Sequence, residues 1–114
     1  MAPLATGGVV LVPFPFSDLS QSKLRPAVVL AAAGRDDYIL CQVTSNPYAD
    51  PLAVELTQAS FTSGSLQRTS YARPGKLFTA HASLIRTQIG TLEDSAFGEV
   101  VECVIELLQQ NSSS

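Results

Sequence analysis

The sequence predicts a mainly β protein with a C-terminal helix: several short strands in a small, strongly bent antiparallel sheet or barrel, plugged by that helix. Three observations carry this. Short apolar and β-branched runs recur through the first ninety residues, punctuated by Gly, Pro, Asn and Asp. One late segment, from about residue 93 to 109, switches to helical spacing. The 114 residues, 46% of them hydrophobic, suit one domain with a real core and little room for a second. That domain is expected to span residues 1–114, with its core at about 7–110 and residues 111–114 as a flexible tail.

The stretch from Gly8 to Ala33 organises the chain. Residues 9–12 begin as a strand, and Pro13 and Pro15 are expected to deny it continued ladder bonding. Residues 17–24 read as a polar loop. Arg25 precedes Pro26, which pushes it toward extended backbone. Residues 27–31, AVVLA, run without alternation, as a strand buried on both faces does. A cation at the lip of such a strand is the first functional clue.

After a turn at residues 34–37, residues 38–45 read as a third strand forming a hairpin with the second. Asn46-Pro47 stops it, and residues 48–51 form a loop. Residues 53–56 are a short strand, whereas the Ser-, Thr- and Gln-rich residues 57–69 read as a loop. Two short strands, 70–73 and 76–80, are expected on either side of Pro74-Gly75. Residues 83–86 lead into a further strand-like piece at 87–90. In the helix, Phe97, Val100, Val101, Val104, Leu107 and Leu108 share one face, while Glu99, Glu102 and Glu106 turn away. Gly98 costs about 1 kcal/mol against alanine there, which suggests a close neighbour needing the space.

The net charge of −3 argues at first against a nucleic-acid partner. Its distribution argues otherwise. Residues 1–90 hold all seven cations against five carboxylates, a net +2, and the last 24 residues carry −5. A modestly basic face outside the helix is therefore allowed. Cys41 and Cys103 lack a CxxC partner and His81 is the only histidine, so buried free thiols are expected and a metal site is not. No apolar run approaches the roughly 18 residues of a membrane span, and the N-terminus lacks a basic signal-peptide region. A cytoplasmic protein without a membrane partner is the expectation.

The runs GGVVLVPFPFSDLSQSKLRPAVVLA, YILCQVTSN and SYARPGKLFTAHASLIRTQIGTLED resemble those of MazF/PemK-like toxins, the mRNA interferases of type II toxin–antitoxin systems. The resemblance covers about residues 7–108, and its first block is the most specific. It implies a compact SH3-like barrel that pairs into a homodimer. It also implies an endoribonuclease acting on single-stranded RNA without metal or other cofactor, held silent by a cognate antitoxin. In that chemistry the ribose 2′-hydroxyl attacks the adjacent phosphate, leaving a 2′,3′-cyclic phosphate and a 5′-hydroxyl.

Carried over by motif, Arg25 and Thr44 match the family's active-site positions. A guanidinium offers phosphate a planar fork and, with a pKa above about 12, stabilises charge rather than giving up a proton. Thr44 has a hydroxyl to donate and no pKa suited to a base, so positioning is its expected task.

In the family, the loop entering Arg25 borders the RNA groove and shifts when antitoxin binds. Ser17, Gln21 and Lys23 are its candidate RNA contacts, Lys23 being equally consistent with a freely solvated lysine. Phe16, with Phe14, could stack on splayed bases, although a core or dimer-interface role is commoner for such a pair. Arg73 and Lys76 lie in a matching region and are further groove candidates. His81 stands where the family commonly has an acidic residue, so a surface or satisfied histidine is the expectation; Asp18 reads as a turn residue rather than a base. One departure stands out: Gly7-Gly8 replaces the usual Gly-Asp, which in the family helps fix the first strand. The competing reading is a non-catalytic SH3-like barrel that binds RNA or protein.

Overall fold

The computed structural model describes residues 4–15 and 22–110. Seven strands form one sheet: β1 (Gly8–Pro15), β2 (Ser22–Gly34), β3 (Asp37–Thr44), β4 (Val54–Leu56), β5 (Phe61–Gly64), β6 (Ser70–His81) and β7 (Thr87–Leu92), followed by the helix α1 (Asp94–Gln110). Their order across the sheet is β4-β6-β3-β2-β1-β7-β5, and every pairing is antiparallel.

The connectivity forces this sheet to curl. Its two edges, β4 and β5, are separated in sequence only by residues 57–60. Flat, seven strands would hold those edges roughly 29 Å apart, whereas the chain from Leu56 to Phe61 can reach at most roughly 18 Å. A curled half-barrel results. Val54, Leu56, Phe61 and Leu92 meet Val9, Val28, Cys41, Val43, Ala72 and the helix residue Val100 in one core inside it. The outer face carries a second core of Val10, Val12, Ala27, Val29, Tyr38, Leu40 and Ala80. Neighbours such as Val9 and Val10, or Val28 and Val29, thus go to opposite cores, the burial on both faces that the unalternating AVVLA run predicts.

Several expectations need correction. The prolines do not stop β1, because its ladder with β2 continues through Pro13↔Leu24 to Pro15↔Ser22. Leu11 accepts the Arg86 N–H at 2.9 Å, so Pro13 and Pro15, two and four residues on, turn their nitrogens to the same side. Pairing with β7 has ended there at Leu11↔Thr87, so no β7 carbonyl is left to want the missing N–H. Residues 22–24 accordingly belong to β2, not to a loop. Pro74-Gly75 does not divide two strands either: β6 is continuous, and residues 73–76 bulge out against Gln42, between the Cys41↔Leu77 and Val43↔Ala72 pairs. The expected loop at 57–69 contains a 3-10 turn (Gln58–Ser60) and β5. Residues 82–84 form a second such turn.

The helix packs on β6 and β4, with Val100 fully buried. Leu108 is 59% exposed and lies off the packing face. Nothing approaches within 4 Å of a side chain at Gly98, so the expected close neighbour is absent. Gly8, by contrast, is crowded. The Gln88 carboxamide lies 3.1 Å from where a Cβ would sit, and its nitrogen donates to Gly90 O (3.2 Å) and Thr91 Oγ1 (3.0 Å). Gln88 therefore fills the space in which a longer residue at position 8 would lie. No described helix is long and apolar enough to cross a membrane.

Candidate active site

Where β2 outruns β3, the two strands bring their ends together. The β2–β3 ladder runs through Val29↔Leu40 and Val28↔Cys41 and ends at Ala27↔Gln42. On the β1 side Arg25 pairs with Val12. Arg25 and Thr44, the two sequence-predicted catalytic residues, lie beyond the end of the β2–β3 ladder and line the same cleft of about 410 Å³.

Leu11, Pro26, Val43 and Ile89 give this cleft an apolar lining, and residues 65–68 form a wall. That wall is tethered at both ends. Gly64 has φ +68°, and a Cβ there would collide with Ile89 O and the Gly90 backbone, so only glycine admits the close approach of β5 to β7. At the far end the buried Ser70 donates its hydroxyl to Arg68 O at 3.1 Å. Among the described residues, the cleft is lined by two arginines, Arg25 and Arg68, and by no carboxylate. The Arg25 Nε is buried, whereas Arg68 is exposed.

Thr44 Oγ1 accepts the Asn46 N–H at 3.3 Å. A hydroxyl has one proton and two lone pairs, so that bond leaves its proton available to an anion. Cationic forks and a hydroxyl donor, with no carboxylate among the described lining residues, suit the cleft to a phosphodiester.

The other candidates lie elsewhere. Lys23 is exposed and, two residues before Arg25 in β2, shares its side of the strand. Arg73 does not line the cleft; its Nε lies 3.4 Å from Asp50 Oδ2 and its guanidinium 5.2 Å from the Tyr48 ring centroid. Lys76 is exposed in the β6 bulge and also does not line it. Ser17, Gln21 and Phe16 lie outside the described residues, as does Asp18, and Phe14 is described only by its backbone pairing with Lys23. His81 is exposed, and its Nδ1 accepts the Ser83 N–H at 3.1 Å, a satisfied surface histidine at the start of a 3-10 turn. Among the described residues no three His, Cys, Asp or Glu side chains gather as a metal-binding group.

Sequence reasoning missed Arg68, Gln67, Ser65 and Ser45, which the structure brings to the cleft. The one available signal was a lone arginine inside a polar loop. Its relevance depends on the β5–β7 pairing, which the residues of β5 barely announce.

The profile of the family described as "PemK-like, MazF-like toxin of type II toxin-antitoxin system" matches residues 5–108. The chain belongs to this family. Solved structures agree in fold. A MazE–MazF complex from Deinococcus radiodurans is similar at TM-score 0.75 and 21% identity, covering 97% of this chain and 100% of that one. An endoribonuclease in complex with its cognate antitoxin, from a Mycobacterial species, gives 0.72 at 13% identity over 96% of each. Deinococcus radiodurans MazF alone gives 0.72 at 22% identity, covering 96% and 99%. No curated protein matches the chain in sequence.

Proposed function

We propose that the chain is a single-domain, metal-independent endoribonuclease toxin that cleaves single-stranded RNA and is neutralised by a cognate antitoxin. The observation that carries this reading is that Arg25 and Thr44 line one cleft with no carboxylate among its described lining residues, in a member of a toxin family. The ribose 2′-oxygen attacks phosphorus and loses its proton, the bond from phosphorus to the 5′-oxygen breaks, and that oxygen gains a proton. Products are a 2′,3′-cyclic phosphate and a 5′-hydroxyl. Charge builds on the phosphate oxygens during attack; Arg25 meets it with a planar fork and Thr44 donates a single hydrogen bond that fixes the phosphate. Lys23, on the same side of β2, holds a neighbouring phosphate, with Ser17, Gln21 and Phe16 contributing from the segment before it. Arg73, held by Asp50 and Tyr48, and Lys76 lie outside this path.

The same cationic cleft suits an acidic or amphipathic antitoxin segment that folds as it binds. A MazE–MazF complex and an endoribonuclease bound to its cognate antitoxin are among the similar structures, which supports such a partner. A homodimer in the cytoplasm completes the reading.

The test incubates antitoxin-free protein with long single-stranded RNA in EDTA. Wild type is expected to leave cyclic-phosphate ends. Arg25→Ala loses on the order of 10²–10³ in rate, the usual cost of removing one preorganised donor. Arg25→Lys keeps the charge without the fork and recovers only part of it. Binding without cleavage by wild type would instead select the non-catalytic module.

A further inference from the structure

Beside the cleft of Arg25 and Thr44 lies a second one of about 340 Å³, lined by Thr57, Gln58, Leu66, Gln67, Arg68 and Thr69. The two share Leu66, Gln67 and Arg68, so these residues form a ridge with a cleft on either side. Among the described residues no carboxylate lines either cleft. Arg68 is exposed on that ridge, while its own carbonyl is tied to Ser70 Oγ at 3.1 Å. Its backbone is thus fixed and its guanidinium faces open space. On the far wall, the turn bearing Gln58 is held by Ser60 Oγ, which accepts the Thr57 N–H at 3.0 Å, and by the Glu93 N–H donating to Ser60 O at 2.8 Å.

We propose that this second cleft is a nucleotide subsite: Arg68 binds the phosphate next to the scissile one, and Gln58 and Gln67 read the edge of the base that follows it. The inference rests on the nuclease reading in that one RNA strand must enter both clefts. The chemistry favours a nucleotide over an acidic peptide. Arg68 would serve either, but two carboxamides, each both donor and acceptor, match the mixed polar edge of an unstacked base. Leu66 between them offers apolar surface to a flat ring. Arg68 is then a positioning and affinity residue, and the glutamines set a preference at one flanking base.

Binding separates this subsite from the cleavage reaction. Single-stranded oligonucleotides of 2′-O-methyl A, C or U lack the attacking hydroxyl, so fluorescence anisotropy reads affinity alone. Arg68→Gln should weaken binding up to about fivefold, the range of an exposed ion pair. It should also flatten the slope of log affinity against log salt by about 0.7, the share of one phosphate contact on a single strand. The Gln58→Ala/Gln67→Ala pair should change the ranking of A, C and U while leaving that slope unaltered. Melting curves of each variant verify folding. An unchanged slope in Arg68→Gln overturns the proposal, as does an equal loss for all three bases in the glutamine pair. So does a wild type that binds none of the oligonucleotides. Failure to cleave RNA in EDTA would overturn the nuclease reading alone and leave these binding results standing.

Discussion

Arg25 and Thr44 stand 19 positions apart in sequence, and the folded sheet brings both to one cleft. A side chain's chemistry here is set by what the sheet packs around it, and Cys41 shows the same rule in reverse. Its side chain is fully buried, with Sγ donating to Arg73 O at 3.2 Å. Burial pushes the thiol up from 9.0 to about 12, the Asp50 carboxylate adding to the shift while the hydrogen bond opposes it. The folded chain therefore keeps a proton that the unfolded chain sheds as pH rises past 9. Stability from this group is complete below pH 9 and is lost as pH climbs toward 12. Urea melts at pH 7, 9 and 10.5 should show an alkaline decline that is smaller in Cys41→Ala, once that variant's lower baseline from the vacated volume is subtracted. An identical decline in both proteins would contradict this account. Cys103 is half-buried, and its thiol is also raised, by partial burial and then by Glu99, Glu106 and Glu102. The expectation of two buried thiols holds for Cys41 and only partly for Cys103. At this scale local sequence marks the Arg25–Pro26 pair, whereas Thr44 was singled out only by the family resemblance; both line the cleft. Arg68 was not legible, because its neighbours in space are remote in sequence.

Elements follow the same division. Strands β1, β2 and β3 and the helix announce themselves by apolar runs or helical spacing, which are properties of one segment. The strand β5, FTSG, has a single apolar side chain and exists because Phe61 packs over Gly90, leaving only 2.8 Å for any Cβ there. The β6 bulge likewise depends on its partner strand, since Pro74-Gly75 reads locally as a break. Two glycines make opposite predictions from this geometry. Gly98 lies in the helix with open space beside it, so Gly98→Ala should gain about 1 kcal/mol from helix propensity, a rise in Tm of about 4 °C. Gly64 has a left-handed backbone and no room for a Cβ. Gly64→Ala should therefore lower Tm and, by shifting the wall that carries Arg68, weaken RNA binding beyond what Arg68→Gln does. Calorimetry with anisotropy checks both; equal and small effects at the two glycines would contradict the geometry.

At the scale of the whole molecule, stability and binding draw on different forces. Two apolar cores, inside and outside the curled sheet, carry the fold. The Arg73–Asp50 contact is largely buried, its side chains only 20% and 17% exposed, so the cost of desolvating both charges offsets much of their attraction. In the proposed reading, binding instead rests on Arg25, Arg68 and Lys23 at the cleft and its approach, while the acidic helix α1 packs on β6 and β4. This division was half visible in the sequence: the charge asymmetry between residues 1–90 and the tail could be read directly, but the convergence of Arg25 and Arg68 could not. It has a measurable consequence. If three cations neutralise three phosphates, log affinity for single-stranded RNA should fall with log salt at a slope of about −2. A tenfold rise in NaCl would then cost about 100-fold in affinity. Over the same range Tm should move by only about 2 °C, because added salt screens exposed charge and leaves buried apolar surface unaffected. Arg25→Ala, Arg68→Gln and Lys23→Gln should each remove about a third of the slope, so the triple variant should bind almost independently of salt. A triple variant that keeps the wild-type slope would show that the RNA is held on another face of the barrel.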